Sequence, residues 1–171
     1  MAKINNITNV AVWLDNNDCL GQVAELSLPN LTAKTVDHNA LGMVGSLELP
    51  AGIDKMEVNI KWNSYYPDAL PKLANPFAAF NIQVRGSLDS YTSAGRAAQV
   101  SFVFKATVMP KELVMGDFKQ HERASAESNF SCSIAELIID GAQVYKFNAF
   151  TNELRVGGVD TLANYRRNLG F

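Results

Sequence analysis

Between residues 55 and 62 apolar and polar side chains alternate without a break. Met56, Val58, Ile60 and Trp62 point one way; Glu57, Asn59 and Lys61 point the other. Period-two alternation is the signature of a strand with one buried and one wet face. The pattern recurs along the chain. Ile7 to Leu14 carries Val10, Val12 and Leu14 on one face. Phe80 to Arg85 sets Phe80, Ile82 and Val84 against Asn81, Gln83 and Arg85. Gln99 to Val108 sets Val100, Phe102, Phe104, Ala106 and Val108 against Gln99, Ser101, Lys105 and Thr107, with Val103 among the latter, and Pro110 is expected to end it. Glu127 to Ile134 sets Phe130, Cys132 and Ile134 against Glu127, Asn129, Ser131 and Ser133.

Turn chemistry punctuates these runs. Asp15 to Asp18 should turn Ile7–Leu14 into a hairpin with Leu20–Leu28, since Asn and Asp tolerate positive φ. Asp140-Gly141 predicts a hairpin within Leu137–Tyr145. Ser87 to Arg96, polar and glycine-containing, reads as a mobile loop. Tyr65 to Ala74 is expected to hold one short helix. Pro67 suits a helix start, whereas Pro71 is costly beyond the first turn, so the helix begins late or is broken. Weak helical spacing at Leu162, Tyr165 and Leu169 marks the tail.

One stretch departs from simple alternation. Leu31 to Asp37 is expected to partner Lys55–Trp62, yet the connection between them is long and holds Gly42, Gly45 and Gly52. Hairpin turns usually take two to five residues. This connection also carries Met43, Val44, Leu47, Leu49 and Ile53, which need a surface to bury against: the domain's own core or another subunit. The whole pattern predicts an all-β, mainly antiparallel sandwich or barrel, with one short helix and a long inter-strand loop, in a single domain over residues 1–171. Val58, Ile60, Trp62, Phe102, Phe104, Phe130 and Ile134 are its expected core.

Composition narrows the function. A 47% hydrophobic content argues for a globular chain. A net charge of −2 gives no basic surplus for tight nucleic-acid binding. No apolar run approaches a membrane span, and Met1-Ala2-Lys3 leads into Asn5-Asn6 rather than a signal-peptide core, so synthesis in the cytoplasm is expected. Cys19 and Cys132 then read as small, reduced, buried side chains. His38 and His121 lack any ligand at a recognised metal spacing. Gly157-Gly158 is not a phosphate loop, and His121-Glu122-Arg123 lacks the second His of a zinc protease motif. No catalytic residue, metal or cofactor is expected. Read bare, the wet strand faces are the ordinary solvated side of an antiparallel sheet.

Several short motifs, in order, resemble one family. Gly42-Met43-Val44-Gly45-Ser46 is followed by Gly52-Ile53-Asp54-Lys55-Met56-Glu57. Pro110-Lys111-Glu112 comes next, with Gly116-Asp117-Phe118-Lys119, where the family's pattern has Trp for Phe. Asp140 to Tyr145, Gly158-Val159-Asp160-x-Leu162 and Arg166-Arg167-Asn168-Leu169-Gly170 complete the series. Together they resemble the major tail tube proteins of contractile-tailed, P2-like phages and the tubes of R-type bacteriocins; residues 63–79 match poorly. The resemblance implies a virion structural protein, assembled in the host cytoplasm, with a fold of the tail-tube type and no reaction to catalyse. It implies a homo-hexameric ring, stacked into a tube inside a sheath, with baseplate and tail terminator proteins as partners. DNA would pass through the lumen, or membrane puncture would be its task, and a tape measure protein would occupy the lumen during assembly.

Under that resemblance Gly42, Met43, Val44, Gly45, Ser46, Leu47, Leu49 and Ile53 become a subunit interface, joined by Arg166 and Arg167 near the C-terminus. Glu57, Asn59, Lys61, Ser101, Lys105, Thr107, Glu127, Asn129, Ser131 and Ser133 become lumen-lining. The rival reading, from another class, is a soluble β-barrel or sandwich that binds a small ligand. A tube protein elutes as rings or sediments as polymer, whereas a ligand-binding domain stays monomeric.

Overall fold

A computed structural model describes residues 2–171. Strand β1 (Ile4–Leu14) is followed by the short β2 (Asn17–Asp18), β3 (Val23–Ser27), β4 (Ala33–His38), β5 (Leu47–Ile53) and β6 (Met56–Trp62). A one-turn helix α1 (Leu70–Leu73) precedes the long strands β7 (Phe80–Thr92), β8 (Gly95–Val114) and β9 (Ala126–Ile139). Then come β10 (Ala142–Asn148), β11 (Glu153–Val156), β12 (Val159–Asp160) and the terminal helix α2 (Ala163–Leu169). Every strand pairing is antiparallel, as the alternation requires. Two short helices stand where one was expected.

Ten strands form one sheet, in the order β12-β11-β10-β9-β8-β7-β1-β2, with β6 branching from β9 and β3 beyond β6. β9 therefore has two neighbours on one edge. Its first half, Ala126 to Cys132, pairs with β6; its second half, Ile134 to Ile139, pairs with β10. Ser133 lies between, as the extra residue where the β8–β9 register shifts. A bulge of this kind reverses which side chains face the core. Before it Phe130 and Cys132 are buried; after it Ala135 is. Ile134 consequently lands on the wet face opposite Thr107, and not in the core.

The core is otherwise the one the alternation predicts. Val58, Ile60, Trp62, Phe104 and Phe130 are buried, and Phe80 meets Phe130 edge-on at 5.5 Å. Phe102 is half-buried at the margin. Trp62 keeps its indole N–H satisfied inside by donating to the Ser128 hydroxyl at 3.0 Å.

Several local expectations are corrected. β3 pairs with β6, not with β1, because the pairing partner is chosen by the register of distant strands. β4 pairs with β5 rather than with β6, so the supposed long loop contains a strand of its own. Ser87 to Arg96 is no loop: β7 and β8 run through it and turn only at Ser93-Ala94. Pro110 does not end β8. The neighbouring strand β7 stops at the Phe80↔Val108 pair, so Pro110 sits where β8 has become an edge, beside a register shift that absorbs Lys111. The hairpin at Asp140-Gly141 forms as expected, both residues adopting the positive φ that a two-residue turn demands.

The burial pattern orders three substitutions. Phe130→Ala should cost the monomer ~3–5 kcal/mol, as truncation of a fully buried aromatic does. Phe102→Ala should cost less, and Ile134→Ser less again, in urea unfolding followed by far-UV circular dichroism. Equal losses at Phe130 and Ile134 would contradict the phase reversal at Ser133.

Candidate assembly surfaces

The hairpin β4–β5 is a two-stranded sheet of its own. Every residue of β4, and every residue of β5 but Ile53, is exposed. Register puts Val36 opposite Leu49 and His38 opposite Leu47, so Val36, Leu47 and Leu49 share one face. Asp37 and Glu48 stand opposite each other on the other face. Around the tip, Leu41, Met43 and Val44 are also exposed, Val44 fully. Of the residues assigned to an interface from sequence, Gly42, Met43, Val44, Gly45 and Ser46 form this tip and Leu47, Leu49 and Ile53 lie on β5. They are together, on a projecting element, and bury almost nothing within the chain.

Arg166 and Arg167 part company. Arg166 donates to both carboxylate oxygens of Asp160 and, at 3.0 Å, to the Asn152 carbonyl oxygen. It is tied to its own chain and anchors α2. Arg167 is exposed and has no ion-pair partner among the described residues. Tyr165, Leu169 and Phe171 are exposed nearby, and α2 buries no side chain.

The wet face divides into two patches joined along β8. In the first, β6, β9 and the end of β8 bring Glu57, Asn59, Lys61, Glu127, Asn129 and Ser131 together. Asn59 donates to Glu127 at 2.5 Å and also to Asn129, which in turn donates to Glu112 at 3.0 Å. Lys61 pairs with Glu25 at 2.7 Å, and Glu57 accepts from Lys111 at 2.7 Å and meets Lys55 at 3.0 Å. Lys111 and Lys55 hold the Glu57 carboxyl below its ordinary pKa, and Glu25 raises that of Lys61. In the second patch, Ser101, Lys105 and Thr107 lie on β8, where Lys105 faces Glu136 and Thr107 faces Ile134. Ser133 belongs to neither patch: as the bulge residue, it turns its hydroxyl to the Thr107 carbonyl oxygen at 3.2 Å.

Sequence reading therefore missed Glu25, Lys111 and Glu112 as charge partners, because tertiary register alone brings them in. It also missed Ile134 and Glu136, although a signal existed. From Phe130 and Cys132 to Ala135 and Leu137 the apolar positions change from even to odd numbers.

The motif Gly116-Asp117-Phe118-Lys119 acquires a physical reason. Gly116 has φ +68°, and a Cβ there would overlap the Ser125 carbonyl oxygen, so the loop after β8 closes only on glycine. Phe118 stacks on Tyr65 at 5.6 Å, and the Tyr65 hydroxyl donates to the Met115 carbonyl oxygen.

Nothing in the geometry favours a ligand pocket or chemistry. A cleft of about 550 Å³ beside Cys19 is open and bordered by Asn16, Asn17, Asp18, Asp68 and Lys72. Among the described residues no three His, Cys, Asp or Glu side chains converge as metal ligands. Burial pushes the pKa of the Cys132 thiol up to about 11 and raises that of Cys19, which disfavours the thiolate in both.

The Asp160–Arg166 pair makes a pH prediction. Its hydrogen bond to Arg166 lowers the Asp160 pKa in the folded chain below the ordinary 3.8. A depressed carboxylate contributes stability that is complete above the ordinary value and disappears as pH falls through the lower, folded one. α2 should thus loosen below about pH 3.8, before the β8–β9 ladder does. Amide exchange of Tyr165 to Leu169 against pH checks this, and Asp160→Asn should bring the same loosening to neutral pH.

Comparison with known proteins follows the same lines. The family model for phage tail tube protein FII matches residues 4–170. The tail tube protein of Escherichia phage P2 is 26% identical over 175 residues, spanning 100% of both chains. Among solved structures, a chain of the PVC extracellular contractile injection system's sheath/tube terminator, in the extended state, superposes with a TM-score of 0.54 at 11% identity, over 77% of this chain and 93% of that one. A chain of the PVC sheath–tube complex gives 0.53 at 11% identity, over 76% and 86%. The structural matches establish the fold, and the matched length of the family model establishes descent: this chain belongs to the phage tail tube protein FII family, structural proteins of contractile tails and not enzymes.

Proposed function

We propose that the chain assembles as a homo-hexameric ring and that rings stack into the inner tube of a contractile tail. One observation carries the reading: a hairpin with an apolar face and an apolar tip projects from the sheet and buries almost none of its side chains within the chain. Two-stranded hairpins are marginal alone in water, so β4–β5 gains its stability from a neighbouring subunit. Heterologous contacts between copies close into rings or extend into filaments, according to the rotation they impose. A tube uses both. The P2 relative is a tail tube protein, and the PVC chains come from assemblies with sheath and terminator. By extension, sheath, baseplate and terminator proteins are the partners here, with a tape measure protein in the lumen during assembly.

In this reading the wet face lines the channel. Glu57, Asn59, Lys61, Ser101, Lys105, Thr107, Glu127, Asn129 and Ser131 supply its wall; Ser133 gives way to Ile134 and Glu136. DNA binding strengthens with each phosphate that Lys or Arg neutralises. On this face Lys61 is held by Glu25 and Lys105 stands beside Glu136, so the wall is wet without attracting a polyanion.

Electron microscopy of the purified protein tests the assembly, and Met43→Asp tests its origin. A charge at the tip should leave monomer unfolding unchanged and abolish rings and tubes. Normal tubes from Met43→Asp would remove the hairpin tip from the interface. A second substitution tests the wall. Ser101→Lys with Ser131→Lys should give tubes that retain DNA at low salt and release it as salt rises. Salt-independent passage at the wild-type rate would place the lumen elsewhere.

A further inference from the structure

The sheet ends in steps on the side of the C-terminus. Its strands shorten from seven residues in β10 to four in β11 and two in β12. A very short last strand is one way to blunt an edge that would otherwise pair with another chain. The strand behind this taper needs the protection. β10 carries Val144, Tyr145 and Phe147 with one charge, Lys146, and no proline, a composition that favours strand pairing. Its outer backbone is engaged by β11: the Val144 carbonyl oxygen accepts from the Gly157 amide at 2.9 Å, and Lys146 lies opposite Arg155. Hydrogen-bonded pairs alternate along an antiparallel ladder, so the Lys146 backbone also turns toward β11.

Little apolar burial holds that cover down. Among the described residues no side chain after Ala135 is fully buried, and α2 exposes Tyr165, Leu169 and Phe171. The charges of the segment are better enclosed: the side chains of Glu153, Asp160 and Arg166 are only 15%, 19% and 24% exposed. They form a line across four elements. Glu153 pairs with Arg155 at 2.5 Å on its own strand and with Lys146 at 3.4 Å on β10. Arg155 lies opposite Asp160 of β12, and Asp160 receives Arg166 of α2. Arg166 also donates to the Asn152 carbonyl oxygen at 3.0 Å, which returns the line to the turn before β11. On the other side of Lys146 stands Glu136 of β9, whose carboxylate accepts from Gln143 at 2.6 Å. Burial alone would raise the Glu153 pKa, yet Arg155 and Lys146 hold it below its ordinary value. Enclosed, hydrogen-bonded pairs are stronger than open surface pairs, and removing one partner strands the other.

We propose that residues 153–171 are a charge-latched guard over the outer edge of β10, which opens as one unit ahead of the core and frees β10 to pair with the β10 of a second copy. The freed edge is self-complementary. Antiparallel pairing about Tyr145 sets the two tyrosines side by side and each Val144 opposite the other copy's Lys146, so the lysines stay apart. Such a contact is isologous and stops at a dimer. It is not a ring contact and needs no tube; the guard keeps the free subunit out of it.

Two substitutions with reciprocal reach test the latch in the dilute, unassembled, full-length chain. Glu153→Gln, at the β10 end, should speed amide exchange of Tyr165 to Leu169 about tenfold, and Asp160→Asn, at the α2 end, should do the same for Arg155 and Gly157. The amides of Phe104 and Phe130 should keep their wild-type protection. Variants that each loosen only their own neighbourhood would overturn the single unit, and so would protection lost only with the core. The two substitutions combined should give dimers in sedimentation velocity. Val144 is exposed, so two further changes there read the pairing by sign. In the combined variant Val144→Lys sets lysines opposite each other and should return the chain to monomer, whereas Val144→Glu sets a carboxylate opposite Lys146 and should tighten the dimer. A combined variant that stays monomeric, or dimers indifferent to the charge at position 144, would overturn the pairing through β10.

Discussion

The architecture depends on how β9 shares its outer edge. A strand has two edges, and β8 occupies one of them along nearly the whole of β9. The other is divided between β6 and β10, with the handover at Ser133. A bulged residue has no partner of its own in the ladder, and it bends and twists the strand that carries it. At Ser133 the released groups are taken up locally: the hydroxyl donates to Thr107, and the carbonyl accepts from the Ala149 amide at 3.0 Å. The sheet can therefore fork without an unsatisfied polar group. One branch, β6 with β3, curls over the core. The other, β10 to β12, carries the chain out to α2. Because the bulge also reverses the facing of side chains, the same residue decides that Ala135 packs inside and Glu136 stays wet.

A forked, curling sheet leaves free edges at β1 and β3, which the proposed assembly would turn toward neighbouring subunits. Burial of apolar area is what holds the monomer together, and its largest contributors, Trp62, Phe104 and Phe130, lie behind the β6–β9–β8 ladder. The hairpin and the terminal helix contribute almost nothing to that core. On the proposed assembly, stability and assembly are thus assigned to different residues, and the hairpin can change without unfolding the subunit. The hairpin leaves most of its side chains to water in the single chain, and on the proposed assembly a neighbour covers them.

How much of this could be read in the chain follows from which interactions are local. Alternation is local, so the strands at Met56–Trp62 and Phe80–Arg85 and the core at Val58, Ile60 and Phe104 were readable. So was the Asp140-Gly141 turn, which two residues determine. Pairing partners are not local. Nothing in Val23–Ser27 says that it lies beside β6 rather than β1, and nothing in Leu47–Ile53 says that it forms a strand with Ala33–His38. Both choices are made by residues elsewhere in the chain, through ladder hydrogen bonds that any backbone offers equally. Glycine and polar residues in Ser87–Arg96 imitated a loop because two long strands there reach past the apolar core, where even the buried position, Ser90, is polar and donates to Asn5. The exposed apolar patch was legible in part: Met43, Val44, Leu47 and Leu49 are conspicuous as apolar residues in a glycine-punctuated stretch. Nothing local separates Arg166 from Arg167, because the commitment of Arg166 to Asp160 depends on the turn between β12 and α2.

The wet face shows a balance that a list of its residues does not. Counting only its strand positions, Lys61 and Lys105 stand against Glu57 and Glu127. The pairs that form are different ones: Lys61 with Glu25, and Glu57 with Lys111 and Lys55. Glu57 and Lys61 are neutralised locally, by partners from β3, from just ahead of β6 and from the register shift in β8, whereas Lys105 and Glu127 have no ion-pair partner among the described residues. This matters if, as proposed, the surface is repeated around a symmetry axis. Charges cancelled only on average leave rings of alternating sign, and within a narrow channel a potential is screened over about 8–10 Å at physiological salt, so such rings are felt by whatever passes. Charges cancelled within a few ångströms leave short dipoles, whose fields fall away faster with distance. Glu127 is the instructive residue. It has no ion-pair partner among the described residues, yet it accepts from Asn59, in a chain that continues through Asn129 to Glu112. Amides spread through that cluster hold its carboxylates in place without adding the cations that would grip a polyanion.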